Sequence, residues 1–354
     1  MALSCTGQVT PNLLMSYQDN AVIVNLLLEN GVEVNAEGGD YGNALQAASF
    51  RGKEVVVKLL LKNGAEVNAK GGIYGNALQA AAASESHQLE ANVIIMNLLL
   101  ENGAEVNAEG GFYGNALQAA SFRGEEVVVK LLLKNGAEVN AKGGRYGNAL
   151  QAALTSDQGN AMVVKLLLEN GADLISKGDF FGNYLHWQAA SYYGNEAIVK
   201  LLLENGAEVN AEEGIVYERS SKGNEYGNAL QKASLAGNEE IVKLLLENGA
   251  EVNARGVKYG NTLQAASVRG NKVIVKLLLE NGAEVNAKGG KYGNELCYNF
   301  EQLKQLLTVA FHKEVAFRAE FRVRDEESLV YWETKTSYRM RLFYSHLYTR
   351  GKRG

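Results

Sequence analysis

Residues 41–73 read YGNALQAASFRGKEVVVKLLLKNGAEVNAKGGI, and close copies of this stretch follow one another along most of the chain. A fixed period predicts a stack of helical repeats, in which each unit buries its apolar face against its neighbours. The unit is 33 residues long, and three copies carry insertions. The copies begin at Tyr41, Tyr74, Tyr113, Tyr146, Phe181, Tyr226, Tyr259 and Tyr292.

The order of residues within one unit predicts a helix, a turn, a second helix and a hairpin-like loop. Asn43 precedes the apolar run of a short helix, and its side-chain oxygen is suited to cap the first free amides of that helix. Gly52 separates it from the run VVVKLLL, whose apolar residues predict burial between neighbours on both sides. Asn63-Gly64 then ends the second helix, and Gly71-Gly72 suits a tight turn.

The unit resembles an ankyrin repeat, whose pattern is G-x-T-P-L-H-x-A-A…G…V-V-x-L-L-L-x-x-G-A-x-V-N-A. The resemblance implies an all-α fold class, an ankyrin-type α-solenoid of helix-turn-helix units with short β-hairpin loops. It also implies that hairpin tips and first helices line a concave groove for a partner protein. The matching residues are Leu45, Ala48, Gly52, Val56, Val57, Leu59, Leu60, Leu61, Gly64, Ala65, Val67, Asn68 and Ala69.

The departure from this pattern lies at the start of the first helix, where Thr-Pro-Leu-His is replaced by Asn-Ala-Leu-Gln. Pro11 is the only proline of the chain, so the first turns lack a rigid residue, and we expect somewhat less stable repeats. The variant Y-G-N-A-L-Q-A-A-S looks like the long arrays common in fungal proteins, which often follow a NACHT-type nucleotide-binding module. Nothing in the sequence matches the P-loop pattern G-x-x-x-x-G-K-[ST] of such a module.

We divide the chain into an array and two flanking segments. Residues 1–18 match the unit poorly and are interpreted as a degenerate N-terminal cap. Residues 19–310 form the array, with about eight repeats and a shortened capping repeat at 292–310. Extra residues around 84–90 are expected to lengthen a surface turn. Residues 311–354 leave the period and alternate apolar with charged residues at first, so a β-hairpin and disorder both stay open.

Charge and composition limit the function classes. The net charge is −5, and residues 311–354 hold ten Lys or Arg against six acids, which leaves the rest of the chain at −9. An acidic array argues against nucleic acid as a ligand. Cys5 and Cys297 are too few for a disulfide framework, and the N-terminus lacks the pattern of a secretory leader. We therefore expect a cytoplasmic protein, with the nucleus as the alternative location.

The sequence contains no pattern typical of an enzyme. Neither G-x-S-x-G nor H-E-x-x-H occurs, and the recurring Gly-Gly pairs are interpreted as turn residues rather than a phosphate site. No apolar run approaches the roughly 20 residues that span a bilayer. We expect no catalytic residue, no metal, no cofactor, no membrane contact and a monomer. No histidine is at metal-ligand spacing from another His or Cys, the four being His87, His186, His312 and His346.

The informative positions are those at which otherwise matching repeats differ, just before each aromatic-Gly-Asn motif and just after the first helix. Exposed aromatic and Arg side chains are typical of binding hot spots, so we predict partner contacts there. The alternative, that these positions vary because nothing constrains them, stays open. The predicted partner-binding residues are Asp40, Phe50, Arg51, Ile73, Phe112, Phe122, Arg123, Arg145, Phe180, Tyr192, Tyr193, Glu225, Lys258, Arg269 and Lys291.

Together with the resemblance, these patterns imply a non-enzymatic scaffold that binds another protein along the concave face of the array. Two alternatives stay open. In the first, the chain is the sensor end of a longer NACHT-type receptor, which an in-frame P-loop upstream of Met1 would show. In the second, it is a regulatory or adaptor subunit of an enzyme complex that docks through residues 311–354. The predicted aromatic anchors are Phe50, Phe112, Phe122 and Phe180, and the predicted basic tips are Lys258 and Lys291.

Overall fold

The structure, a computed structural model, describes residues 21–84, 89–155, 160–174, 194–210, 228–254 and 260–284, together with two strands at 319–324 and 329–334. Only the backbone is described for the strands and for Val268 and Arg269. The chain divides into two compact units, residues 1–208 and 209–354. All elements of the described repeats are helices, which confirms the predicted all-α solenoid fold class.

In the first unit, a repeat contributes a first helix and a second helix. The first helices α2, α4, α6 and α8 pack on one another in chain order, and the second helices α1, α3, α5, α7, α9 and α10 do the same, which makes two helical layers. The bounds are α1 (Ala21–Glu29), α2 (Ala44–Phe50), α3 (Glu54–Lys62), α4 (Ala77–Ala82), α5 (Leu89–Glu101), α6 (Ala116–Arg123), α7 (Glu126–Lys134), α8 (Ala149–Thr155), α9 (Ala161–Glu169) and α10 (Glu196–Glu204).

The second unit repeats the same pairing and adds a hairpin. First helices α11 (Ala229–Ala236) and α13 (Thr262–Arg269) pack together, as do second helices α12 (Glu239–Glu247) and α14 (Lys272–Glu280). Near the C-terminus, β1 (Ala319–Arg324) pairs antiparallel with β2 (Leu329–Thr334), and Phe321 lies opposite Trp332. These strands lie in the segment for which the sequence left a hairpin and disorder open.

The first helices begin at the predicted asparagine. Asn43 is extended, and its side-chain oxygen accepts a hydrogen bond from the backbone N–H of Gln46 at 2.9 Å. The Gln46 side chain in turn accepts one from the Asn43 N–H at 2.8 Å, so two amides that helix geometry leaves without partners are satisfied. The same asparagine cap recurs at Asn76, Asn115, Asn148, Asn228 and Asn261.

The second helices bury one face rather than their whole circumference. In α3, Val57 and Leu60 are buried, whereas Val55 is 63% exposed. The expectation that the apolar run is buried on both sides is therefore wrong for Val55, because only the side that meets the first-helix layer and the adjoining second helices is covered. Ala65 N–H donates to the Leu60 carbonyl beyond the helix end, a Schellman-type termination that Gly64 makes accessible with a φ of 84°.

The insertion in the repeat that begins at Tyr74 lengthens a helix. The second helix α5 has 13 residues, against nine in α3, and residues 89–92 form an additional turn ahead of Val93, which corresponds to Glu54. The expectation of a longer surface turn is therefore wrong for Leu89 and Glu90. Residues 85–88 lie outside the described part of the chain.

Candidate functional site

Each described hairpin of the first unit is closed by a pair of glycines. Gly71 pairs with Gly75 in an isolated β-bridge, with the Gly71 N–H bound to the Gly75 carbonyl at 2.8 Å. Gly72 has a φ of 61°, and a Cβ there would overlap the backbone of Tyr41 in the preceding hairpin. Successive hairpins therefore touch backbone to backbone, which only glycine permits at this position.

This close approach links the residues at the hairpin tips, which we call the tip row: Asp40, Ile73, Phe112 and Arg145. The Ile73 N–H donates to the Asp40 carbonyl at 2.7 Å, and the Phe112 N–H donates to the Ile73 carbonyl at 2.7 Å. The Arg145 N–H donates to the Phe112 carbonyl at 3.0 Å. The tip row is thus a hydrogen-bonded line of backbone that runs across successive repeats, and its side chains are carried on a fixed frame.

Side-chain amides hold the hairpins against the helices. The Gln46 Nε2 donates to the carbonyls of Ala69 and Gly75 at 3.0 Å each, both in the next hairpin. Gln79 and Gln118 make the same cross-repeat contact. Since the glutamine is buried, these bonds lie away from competing water.

A second set of amides joins successive loops at the ends of the second helices. The Asn107 Nδ2 donates to the Gly136 carbonyl at 3.0 Å, and its Oδ1 accepts from the Glu138 N–H at 2.8 Å. The equivalent asparagines Asn35, Asn68, Asn140, Asn210 and Asn253 bond in the same way. In the described part of the chain, the asparagine of each Val-Asn-Ala is therefore a structural link between repeats.

A row of tyrosines lies next to the tip row, and we call it the tyrosine row: Tyr41, Tyr74, Tyr113 and Tyr146. Ring centroids of consecutive members are 5.8, 6.5 and 6.1 Å apart. The Arg51 guanidinium donates to the Tyr41 hydroxyl at 3.2 Å and lies 5.8 Å from the Tyr41 ring centroid. The surface beside the tips is consequently aromatic along four successive repeats.

Of the predicted partner-binding residues, the tip row has the accessibility that contact requires. Ile73 is 50% exposed, Phe112 is 38% exposed, and Asp40 and Arg145 are also exposed. Arg51 is exposed as well, whereas Phe122 and Arg123 are half-buried. Outside the described side chains lie Phe180, Tyr192, Tyr193, Glu225, Lys258, Arg269 and Lys291.

Phe50 requires a correction. The prediction assumed an exposed ring, but Phe50 is only 8% exposed. Its ring stacks on Tyr74 at 4.5 Å and meets Tyr41 at 5.4 Å, so it fills the space between two tyrosines. Phe122 packs equivalently, 4.6 Å from Tyr146. Both phenylalanines pack against the tyrosine row, with Phe50 buried and Phe122 half-buried.

The tyrosine row is the part of this surface that sequence reasoning missed. Its tyrosine begins the motif that nearly all copies share, whereas the predicted partner contacts are limited to positions at which the repeats differ. The signal was present in the sequence, since an aromatic residue precedes Gly-Asn in each copy. The spacing alone does not show that these rings come together on one face, because that depends on how closely the hairpins stack.

Charge changes sign along the tip row. Asp40 stands at one end and Arg145 at the other, and within the described residues neither side chain joins an ion pair. The Arg145 guanidinium lies 5.4 Å from the Phe112 ring centroid, a cation–π distance. Phe112 also meets Tyr113 and Tyr146 edge-on, at 5.1 and 6.1 Å. The row therefore has an acidic end, an apolar centre and a basic end.

Other chemistry has little support in the described residues. Among them, no group of three or more His, Cys, Asp or Glu is placed to hold a metal ion. The histidines and cysteines lie outside this part of the chain, so the absence of a metal or catalytic site stays a prediction. On the second-unit helix α12, a hydrogen bond to Glu240 raises the pKa of Lys243, as an exposed surface pair does.

The described residues contain no helix that combines the length and the apolar character needed to cross a bilayer.

Comparison with known families agrees with this architecture. A family model described as "Ankyrin repeats (3 copies)" matches the chain at residues 12–110, 91–178 and 185–289. These matches span more than half of the chain and include all of the described helices. No curated protein matches the sequence.

Proposed function

This chain belongs to the ankyrin repeat family, and on that premise we propose that it binds a partner protein through the hairpin face of its first unit. Ankyrin repeats generally mediate protein–protein interaction and are typically not enzymes. Family membership by itself names neither the face nor the partner, because one fold serves many functions. The choice of face rests on the geometry of the tip row.

The observation that carries the proposal is the contrast between the backbone and the side chains of the tip row. The backbone is the same in each repeat and is bonded to the next through the Ile73, Phe112 and Arg145 amides. The side chains on this frame are Asp, Ile, Phe and Arg, which differ in charge, size and shape. A pre-ordered backbone that carries different exposed side chains lowers the ordering cost of binding and supplies specificity.

The neighbouring tyrosine row adds to the area that the tip row offers to a partner protein. Specific complexes bury a total of about 1,200–2,000 Å², which exceeds what four tip side chains offer. The tyrosine rings and Arg51 adjoin the tips and are residue types enriched at binding hot spots. The proposed surface is therefore the tip row with the tyrosine row beside it, a broad face rather than an enclosed pocket.

Affinity capture with matched variants tests this face. The full-length protein is used as bait in an extract, beside a tip variant, Ile73→Ala with Phe112→Ala. A control variant carries Val55→Ala with Val127→Ala, which are 63% and 46% exposed on the second helices. We expect the tip variant to retain less than about a tenth of the captured partner, because hot-spot truncations cost about 2 kcal/mol or more. The control should capture as much as the unmodified protein.

Two results would remove this assignment. Equal capture by the tip variant would show that the partner does not use the tip row. Loss of capture in the Val55 and Val127 control alone would place the partner on the second helices instead. Both variants alter exposed side chains, so circular dichroism should show unchanged helix content and thereby separate binding from folding.

The adaptor alternative differs in the segment that it uses. If the protein docked through residues 311–354, deletion of that segment would abolish capture, whereas a partner held by the tip row would stay bound. The sensor alternative concerns a further domain attached to the array, and it makes no claim about which face of the array binds a partner. It is compatible with the same tip-row contacts.

A further inference from the structure

The tip row has a spacing that fits one class of ligand, an extended peptide. Consecutive tyrosine rings beside the row are 5.8–6.5 Å apart. One backbone hydrogen bond of 2.7–3.0 Å joins each tip to the next, so successive tips have a similar spacing. An extended chain advances about 3.3 Å per residue, so every second side chain points the same way at intervals of about 6.6 Å. One repeat therefore corresponds to two residues of an extended chain.

The order of side chains along the row then specifies the ligand. Asp40 attracts a cation, Ile73 and Phe112 offer two adjacent apolar contacts, and Arg145 attracts a carboxylate. We propose that the first unit binds an extended peptide segment in which a basic, two apolar and an acidic side chain alternate with residues that face away. The basic side chain lies at Asp40 and the acidic one at Arg145. This inference rests on the proposed function and narrows its partner to a segment of that pattern.

The backbone of the row determines how such a peptide is held. The N–H and C=O groups of Ile73 and Phe112 already bond to neighbouring tips, so they are not available to add a strand. Addition of a strand to a sheet edge depends on such groups. The peptide is therefore recognised by the side chains of the tip row. Binding consequently depends on which peptide residue lies at each alternate position.

The charges at the two ends are suited to this role because no partner within the described residues neutralises them. Asp40 is exposed and joins no ion pair there, and the Arg145 guanidinium lies 5.4 Å from the Phe112 ring centroid, likewise without an ion pair among the described residues. Charge at the rim of an interface selects partners and fixes their register. A ligand with its charges at the wrong spacing would leave one end of the row unmatched.

The experiment uses fluorescently labelled peptides and the full-length protein, read by fluorescence anisotropy. The probe is Gly-Lys-Ser-Leu-Ser-Leu-Ser-Glu-Gly, in which charged and apolar residues alternate with serine. The matched control, Gly-Lys-Ser-Ser-Leu-Leu-Ser-Glu-Gly, has the same composition but places its leucines on opposite faces. We expect the probe to bind at least about tenfold more tightly than the control, a difference of about 1.4 kcal/mol.

A charge exchange then locates the ends of the peptide. Asp40→Lys should weaken binding of the probe about tenfold, and a probe with Glu in place of its Lys should regain that loss on the Asp40→Lys protein. Since Asp40 is exposed, the variant is expected to fold, and its circular dichroism spectrum verifies this. Equal binding of probe and control, no binding at millimolar peptide, or a charge exchange without effect would each overturn the inference.

These outcomes separate the inference from the proposed function. The protein could capture a partner in a way that depends on Ile73 and Phe112 and yet not bind the probe peptide. The tip row would then bind the surface of a folded protein. The extended-peptide inference would then be wrong while the proposed function stood. Failure of the capture experiment as well would remove both.

Discussion

At the scale of single residues, the glycines and the glutamine of the motif act together. Gly75 has a φ of 96°, and a Cβ on it would overlap the Oε1 of Gln79. Gln79 needs that position because its Nε2 donates to the Ala108 and Gly114 carbonyls in the next hairpin. The glycine and glutamine of Gly-Asn-Ala-Leu-Gln therefore depend on each other, because the glycine leaves space for the glutamine side chain that joins two repeats.

This arrangement predicts unequal costs for two glycine substitutions. Gly64 has a φ of 84° but nothing within 4 Å of an added Cβ, so Gly64→Ala should cost only about 1 kcal/mol for the left-handed backbone. Gly75→Ala should cost about 3 kcal/mol, because the displaced Gln79 also loses buried hydrogen bonds. Urea unfolding followed by circular dichroism measures both. Equal losses would show that Gln79 is not held as described.

Several residue roles were predictable from the sequence and others were not. Asn43 as a cap and Gly64 as a helix end follow from local chemistry, since their partners lie within a few residues. The burial of Phe50 does not, because its ring is covered by Tyr74 from the next repeat. A residue whose surroundings come from another repeat is exposed or buried according to how the repeats stack.

At the scale of elements, a repeat is a helix pair whose loop belongs partly to its neighbour. Helix α6 is tied to the following hairpin through Gln118, whose Nε2 donates to the Ala141 and Gly147 carbonyls at 3.0 Å each. The helix-turn-helix order could be predicted because each boundary has a glycine or asparagine. The additional turn at the start of α5 could not be predicted. The inserted residues, which include Leu89 and Glu90, contain neither glycine nor asparagine to mark the helix boundary.

The hairpin tie predicts different effects for two equivalent glutamines. Gln151 accepts a hydrogen bond from the Asn148 N–H at 2.9 Å, but among the residues that the structure describes its buried Nε2 has no hydrogen-bond partner. Gln118→Ala should therefore destabilise the protein by about 2 kcal/mol, and Gln151→Ala by about 1 kcal/mol or less, at about 1 kcal/mol per net hydrogen bond. Thermal unfolding of the two variants measures the difference. A larger loss for Gln151→Ala would contradict a stabilising role for the tie.

At the scale of the whole molecule, the period in the sequence was enough to predict a stack of repeats, because each unit needs neighbours to bury its apolar face. The candidate surface was predictable only in part. The variable residues Asp40, Ile73, Phe112 and Arg145 were recognisable as differences between otherwise matching copies. These residues form one hydrogen-bonded row, with the tyrosines beside it, because the hairpins of successive repeats stack. The residues that the row brings together are 33 to 39 positions apart in sequence.

The central claim, that the tip row is the face that contacts a partner protein, is tested most directly by photo-crosslinking. The photoreactive residue p-benzoylphenylalanine replaces Phe112 in one variant and Val127 in another, since both side chains are partly exposed, at 38% and 46%. After irradiation in an extract, we expect a discrete covalent adduct from position 112 and none from position 127. An adduct from position 127 with none from position 112 would contradict the claim and assign the partner to the second helices.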